Sequence, residues 1–246
     1  MTTAIFRFYE ELNDFLPLER RGREFGAPCA RAATAKHMIE ALGVPHTEVE
    51  LVLVNGESVG FGHLLQDGDR VAVYPRFESF DITPLLRVRA EPLREVRFVA
   101  DSHLGGLARL LRMAGFDTLY RNNYGDREIA AIAIDEARIL LTRDRDLLKY
   151  REIDHGCYIH AQKPALQLRE VIERLDLKRS VHPFTRCMEC NAPLHGIDKQ
   201  QVFERLPPSV RVLQNRFSTC EVCGRVFWEG SHWRRMRALM DEAIRD

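Results

Sequence analysis

The chain has 246 residues, 45% hydrophobic and 29% charged, the balance of an ordinary globular protein rather than of a disordered or fibrous one. That length suits two or three small modules, and no apolar run approaches the roughly eighteen residues of a membrane span, so none is expected. The net charge of zero hides a gradient: residues 1–85 hold 8 Lys and Arg against 13 Asp and Glu, residues 86–177 hold 16 against 15, and residues 178–246 hold 12 against 8. An acidic front and a basic rear suggest separate partners, with nucleic acid at the rear, although a small basic excess also simply keeps a domain dissolved. The alternating start, Met1 to Phe8, lacks the apolar core of a signal peptide, so a cytoplasmic location is expected. In that reducing setting the isolated Cys29 and Cys157 are inert thiols.

Residues 4–9 and 24–29 read as strands, and Thr34 to Leu42 as a helix capped by Thr34 and stopped by Gly43 and Pro45. Val49 to Val54 is a strand turned by Asn55-Gly56, a preferred hairpin dipeptide, and Arg70 to Pro75 is another. Strand–strand–helix–strand–strand is a β-grasp order. The "LVNGE" turn and the "LQDGDRVAVYP" ending resemble the ubiquitin-like sulfur carriers over roughly residues 3–77. Sulfur carriage in that family requires a free Gly-Gly terminus. Here the last strand runs on into Pro75-Arg76-Phe77-Glu78-Ser79, so the module, residues 1–78, is expected to bind a protein partner or to pack on the rest of the chain. Residues 79–94, with Pro84 and Pro92 and no sustained period, read as a linker in which Leu85 and Leu86 could dock on a neighbour.

From Glu95 strands alternate with helices, which implies a mainly parallel sheet. Strand 96–100 ends on Asp101, and Leu104 to Leu111 repeat at helical spacing behind the close-approach pair Gly105-Gly106. Strand 116–120 follows, then a helix capped by Asp126. Strand 138–142 runs into Arg143-Asp144-Arg145-Asp146, with a short helix at 146–150, strand 156–160 and a helix from Pro164 to Leu175. Ligands of open α/β sheets gather beyond the carboxyl ends of strands, where Asp101, Asp144 and Asp146 stand. Converging carboxylates call for a hard cation such as Mg²⁺ or Mn²⁺, which makes Asp101, Asp126, Asp144 and Asp146 the expected catalytic metal cage, with Glu128 in reserve. Arg143, Arg145 and Arg109, and also Arg112, are candidates to hold substrate phosphate, and His103 to move a proton. Asp126 as a simple helix cap, and the arginines as partners of neighbouring aspartates, are the plainer alternatives.

The segments "RFVADSHLGGLARLLRMAGFDT", "GDREIAAIA" and "ARILLTRDRDLL" resemble the Mut-seven C-terminal RNase domain family, a branch of the PIN-like nucleases, over residues 95–178 and on through the cysteines that follow. The resemblance implies a PIN-like ribonuclease or a relative that keeps its acidic site, and members often carry a ubiquitin-like domain in front.

Cys187-x-x-Cys190 and Cys220-x-x-Cys223, separated by 29 residues, supply four thiolates in two knuckles, the donor set of structural Zn²⁺. His182, His195 and His232 are then surplus as ligands. Residues 179–246 read as a zinc ribbon with a terminal helix from Trp233 to Ile244, too poor in apolar residues to fold without metal. Arg186, Lys199, Arg205, Arg211, Arg216 and Arg225, interleaved with Phe217, Phe227 and Trp228, suit single-stranded RNA, or equally a small core with a charged rim. The expected whole is an α/β chain: β-grasp, PIN-like parallel-sheet nuclease, zinc ribbon. The expected function is metal-dependent hydrolysis of RNA. Its rivals are an RNA or ribosome adaptor with a silent acidic pocket, a sulfur-transfer or ubiquitin-like signalling protein, and a growth-arresting toxin.

Overall fold

The computed structural model describes residues 2–75, 87–88 and 96–245. Apart from Arg87 and Val88, the expected linker, with its Leu85 and Leu86, lies outside the described residues. The chain forms two compact units that cut across the modules read from the sequence. Residues 125–158 group with the front of the chain, and residues 96–124 group with everything from Ile159 onward. Among the described residues no helix is long and apolar enough to cross a membrane.

The first unit opens with β1 (Thr2–Phe8), β2 (Phe25–Cys29), α1 (Ala35–Ala41), β3 (Leu51–Val54), β4 (Glu57–Val59) and β5 (Arg70–Tyr74), whose strands lie in the order β2-β1-β5-β3-β4. Only the central β1–β5 pair is parallel, which is the β-grasp arrangement. Alternation along β1 turns Ala4, Phe6 and Phe8 inward, where they bury against Met38 and Ile39 of α1. Thr34 accepts the His37 amide as the helix cap that its position promised. Strand β4 was not expected. It exists because Asn55 (φ +53°) and Gly56 (φ +89°) both take the left-handed conformation of a tight hairpin and fold Glu57–Val59 back along β3.

The same unit holds α3 (Asp126–Asp135), β8 (Ile139–Thr142) and β9 (Gly156–Tyr158), with β8 and β9 paired in parallel. In place of the short helix expected at 146–150 there is one 3₁₀ turn, Leu147–Lys149. The polar triplet His46-Thr47-Glu48 sits buried against this segment. The His46 ring bonds the Ile153 carbonyl at 2.9 Å, and Glu48 Oε1 accepts the Tyr158 amide at 2.5 Å. Phe15 meets the Tyr158 ring edge-on at 5.3 Å. The β-grasp module is therefore continuous in packing with residues 145–158.

The second unit contains β6 (Arg97–Ala100), α2 (Gly105–Met113) and β7 (Asp117–Tyr120), a βαβ element with parallel strands in which Leu107, Ala108 and Leu111 of α2 are fully buried. Helix α4 (Pro164–Arg174) packs on α2, and α7 (Ser231–Ala243) packs on α4. The Gly105-Gly106 pair serves neighbouring elements: a Cβ on Gly105 would strike the Tyr120 hydroxyl, and one on Gly106 would strike the Pro164 ring. The ribbon between α4 and α7 is a three-stranded meander, β10 (His195–Ile197), β11 (Phe217–Thr219) and β12 (Val226–Trp228). Two short helices, α5 (Lys199–Val202) and α6 (Pro208–Leu213), fill the long β10–β11 connection. Its core consists of Val202, Leu206 and Phe217.

Replacing Glu48 by Ala removes the acceptor of the Tyr158 amide. The change is expected to cost about 1–3 kcal/mol of unfolding free energy and to speed hydrogen exchange at that amide, whereas Glu48→Gln, which keeps a carbonyl oxygen, retains most of the protection.

Candidate functional site

The four ribbon cysteines converge. Their Sγ atoms all lie within 4.8 Å of one another, with Cys187 to Cys223 at 3.6 Å and Cys190 to Cys220 at 3.3 Å. Tetrahedral zinc with bonds of about 2.3 Å sets its thiolates about 3.8 Å apart, so the donor chemistry and the spacing both fit such an ion. The two knuckles are built alike. Asn191 N–H returns to the Cys187 carbonyl at 2.9 Å and Gly224 N–H to the Cys220 carbonyl at 2.8 Å. In each, the residue after the second cysteine is left-handed, at φ +69° for both Asn191 and Gly224. Asparagine and glycine are the residues that accept this conformation at least cost. Burial pushes the Cys187 thiol up to about 12. At Cys220 burial acts the same way, but hydrogen bonds from the Cys223 and Val222 amides and from the neighbouring thiols outweigh it and bring the group down to about 7. Crowded thiols divided in this way are the environment that a dication relieves, since every ligand must be deprotonated to bind.

The first knuckle is tied to the βαβ element chiefly through Asn191 and Arg112. Asn191 Oδ1 accepts the Thr118 amide at 2.9 Å while its Nδ2 donates to Asp117 Oδ1 at 2.7 Å. Arg112 is buried and donates to the carbonyls of Thr118, Met188 and Glu189 at 2.9, 3.2 and 2.8 Å. Burial lowers the Arg112 pKa from its ordinary value, opposed by the nearby cysteines, Glu189 and Asp117. The phosphate role considered for Arg112 is thereby corrected: its donors face inward and are spent on carbonyls. Arg109 pairs with Glu189 at 2.9 Å, and Arg225 reaches the same carboxylate at 3.0 Å.

The expected acidic residues stand at the carboxyl ends of strands and at a helix start. Asp101 follows β6 directly, and its Oδ1 accepts the Ser102 amide and hydroxyl, capping a 3₁₀ turn over Ser102–Leu104. Exposed His103 lies on that turn. Asp126 is the first residue of α3 rather than its cap. Gly125 takes the cap position, so Asp126 and Glu128 both lie exposed in the first turn, where negative charge is favoured. Asp144 Oδ1 accepts the Asp146 amide at 2.8 Å, and the Asp144 amide donates to Thr142 Oγ1, which fixes the loop after β8. Asp146 is exposed and pairs with Lys149 at 3.0 Å. Among the described residues, the cysteine tetrad is the one group of three or more His, Cys, Asp or Glu drawn close enough to share an ion.

Arg143 and Arg145 separate in role. Arg145 donates to the carbonyls of Phe15 and Asp14 and lies over the rings of Phe15 and Tyr158, 5.0 and 5.6 Å from their centroids. It fastens the acidic loop to the β-grasp module. Arg143 is exposed and unpaired among the described residues. Neither the Arg145 contact nor the Asn191 hook has a local sequence signal, because each depends on a partner many tens of residues away.

The sequence model described as the Mut7-C RNAse domain matches residues 96–240, and that of the Mut7-C ubiquitin domain matches residues 1–81. A human protein, "Exonuclease mut-7 homolog", is 36% identical over 110 residues, covering 41% of this chain and 12% of that protein, so the chain spans about an eighth of its relative's length. A crystal structure of the small archaeal modifier protein 1 of H. volcanii covers 31% of this chain and all of its own at 18% identity, with a TM-score of 0.26.

One zinc per chain is expected by metal analysis, with Cys220→Ser abolishing tight binding and chelation selectively unfolding the ribbon. Arg112→Met strands three carbonyls. It is expected to cost about 3 kcal/mol or more of stability and to weaken zinc retention, read by denaturant unfolding and by zinc release to a chromogenic chelator.

Proposed function

Since the chain belongs to the Mut7-C RNAse domain family and carries the accompanying ubiquitin-like module, we propose that it is a metal-dependent ribonuclease acting at the acidic residues of its α/β part. The observation that carries this reading is positional. Asp101, Asp126, Asp144 and Asp146 all fall within the family match, and two of them follow the carboxyl ends of parallel strands, where open α/β sheets hold their ligands. A cation at these carboxylates would activate water, neutralise the phosphoryl oxygens and stabilise the leaving oxygen.

Carboxylates are the correct donors for Mg²⁺ or Mn²⁺. An ion of this kind is usually held by one or two carboxylates together with substrate phosphate. Asp101 and Asp144 are the principal holders in this reading, with Asp126 and Asp146 in support. The chain's own cation for the substrate is Arg143, exposed beside Asp144, whereas Arg145 and Arg109 are spent on protein partners. Arg145 acts instead as a positioning residue that holds the Asp144 loop against Phe15. The substrate is single-stranded RNA, whose unstacked bases are open to recognition. The ubiquitin-like module offers a second surface, for a protein partner.

The second reading is an RNA-binding adaptor without turnover. Labelled single-stranded RNA incubated with and without Mn²⁺ separates the two. A ribonuclease is expected to cut only with the ion, and the Asp101→Asn, Asp144→Asn protein to be slower by about a hundredfold or more while still binding RNA. Binding with no ion-dependent cutting by the unaltered chain would leave the adaptor.

A further inference from the structure

A cleft of about 830 Å³ lies between the ribbon sheet and the start of α7, within the second unit. Pockets for small organic ligands run from about 300 to 1,000 Å³, so it has the capacity for more than a single side chain. Four half-buried aromatic rings line it: Phe184 ahead of the first knuckle, Phe227 and Trp228 on β12, and Trp233 on the first turn of α7. Phe184 and Trp233 are tilted together with centroids 5.1 Å apart. The sequence drew attention to Phe227 and Trp228 but not to this second pair, which closes the far wall.

We propose that this cleft is a stacking site for unpaired bases of RNA. The inference rests on the reading of the chain as an RNA-acting protein, and it names the place where a strand is held apart from the acidic residues. Three arginines stand among the lining residues, Arg186, Arg216 and Arg237, against one carboxylate, Glu229. Arg186 and Arg237 are engaged with Asp117 and Asp241. Arg216 is exposed and makes no ion pair among the described residues, so its charge is available to a phosphate. An apolar peptide would gain from the rings but not from an unpaired guanidinium. A base gains from the ring surface left open to the cleft while its phosphate gains from Arg216, and base–aromatic stacking contributes about 1–3 kcal/mol per base. Stacking reads no particular sequence. The cleft would therefore grip any unpaired strand and reject a duplex, whose bases are already stacked.

The chain has two tryptophans, and both line the cleft, so emission excited selectively from tryptophan, and not from the six tyrosines, reports on this place. The titration uses a short oligouridylate and a duplex of equal length, with the Asp101→Asn, Asp144→Asn protein in the absence of Mg²⁺ and Mn²⁺, so that cleavage does not enter. Single-stranded RNA is expected to quench the emission and the duplex to leave it unchanged. Arg216→Glu and Phe227→Ala, each shown to retain its zinc, are expected to weaken binding about tenfold. RNA binding without any change in emission, or with undiminished affinity in both variants, overturns the site. So does quenching by an apolar peptide but not by RNA, which would make the cleft a protein-docking groove. Failure of the nuclease reading shows separately, as quenching by RNA in an unaltered chain that cuts nothing.

Discussion

A guanidinium removed from water must find oxygen atoms, and Arg112 finds three carbonyls, one at the start of β7 and two inside the first knuckle. That constraint places the ribbon. With Asn191 bonded to the amide of Thr118 and the carboxylate of Asp117, it fixes one pair of cysteines to a βαβ element whose own core is secure. The second pair then has only to close on the first. A module whose strands are three residues long and whose core is three side chains has little apolar burial of its own. Its shape follows from an internal cation bonded to the first knuckle and from the four thiols gathered beside it.

Much of the architecture was legible because it is written locally. Thr34 before α1, Pro164 at the start of α4 and Asn55-Gly56 between strands each act within a few residues, and each appears where expected. The four cysteines were legible for the same reason: two short knuckles are complete statements of donor chemistry. What escaped the reading is non-local. The His46-Thr47-Glu48 triplet looks like a solvated turn and is buried because residues 148–158 supply its partners. Arg145 looks like a phosphate ligand and is a clasp, since the Asp14 and Phe15 carbonyls that receive it lie some 130 residues earlier in the chain. Ribbon strands of three residues leave no readable period at all.

The acidic loop illustrates how these two kinds of information combine. Asp144 and Asp146 are set by a local device, an aspartate oxygen capping the amide two residues on. The arginine between them points the other way, into the β-grasp module. Alternate residues of one short segment thus face solvent and neighbour in turn. The front module, whatever else it binds, forms part of the support for the place where chemistry is proposed.

Strand β9 pairs with β8 along one side, and the amide of Tyr158 on its other side is taken by Glu48. An uncovered strand edge is a template for another chain, and natural sheets hide such edges with charge or with covering structure. Here the cover is a carboxylate delivered by a different module of the same polypeptide. A fragment cut down to the nuclease-like half would bare that edge together with the Phe15-facing ring of Tyr158. Its tendency would be to add strands from its own copies, so the ubiquitin-like module also serves as an internal guard against aggregation.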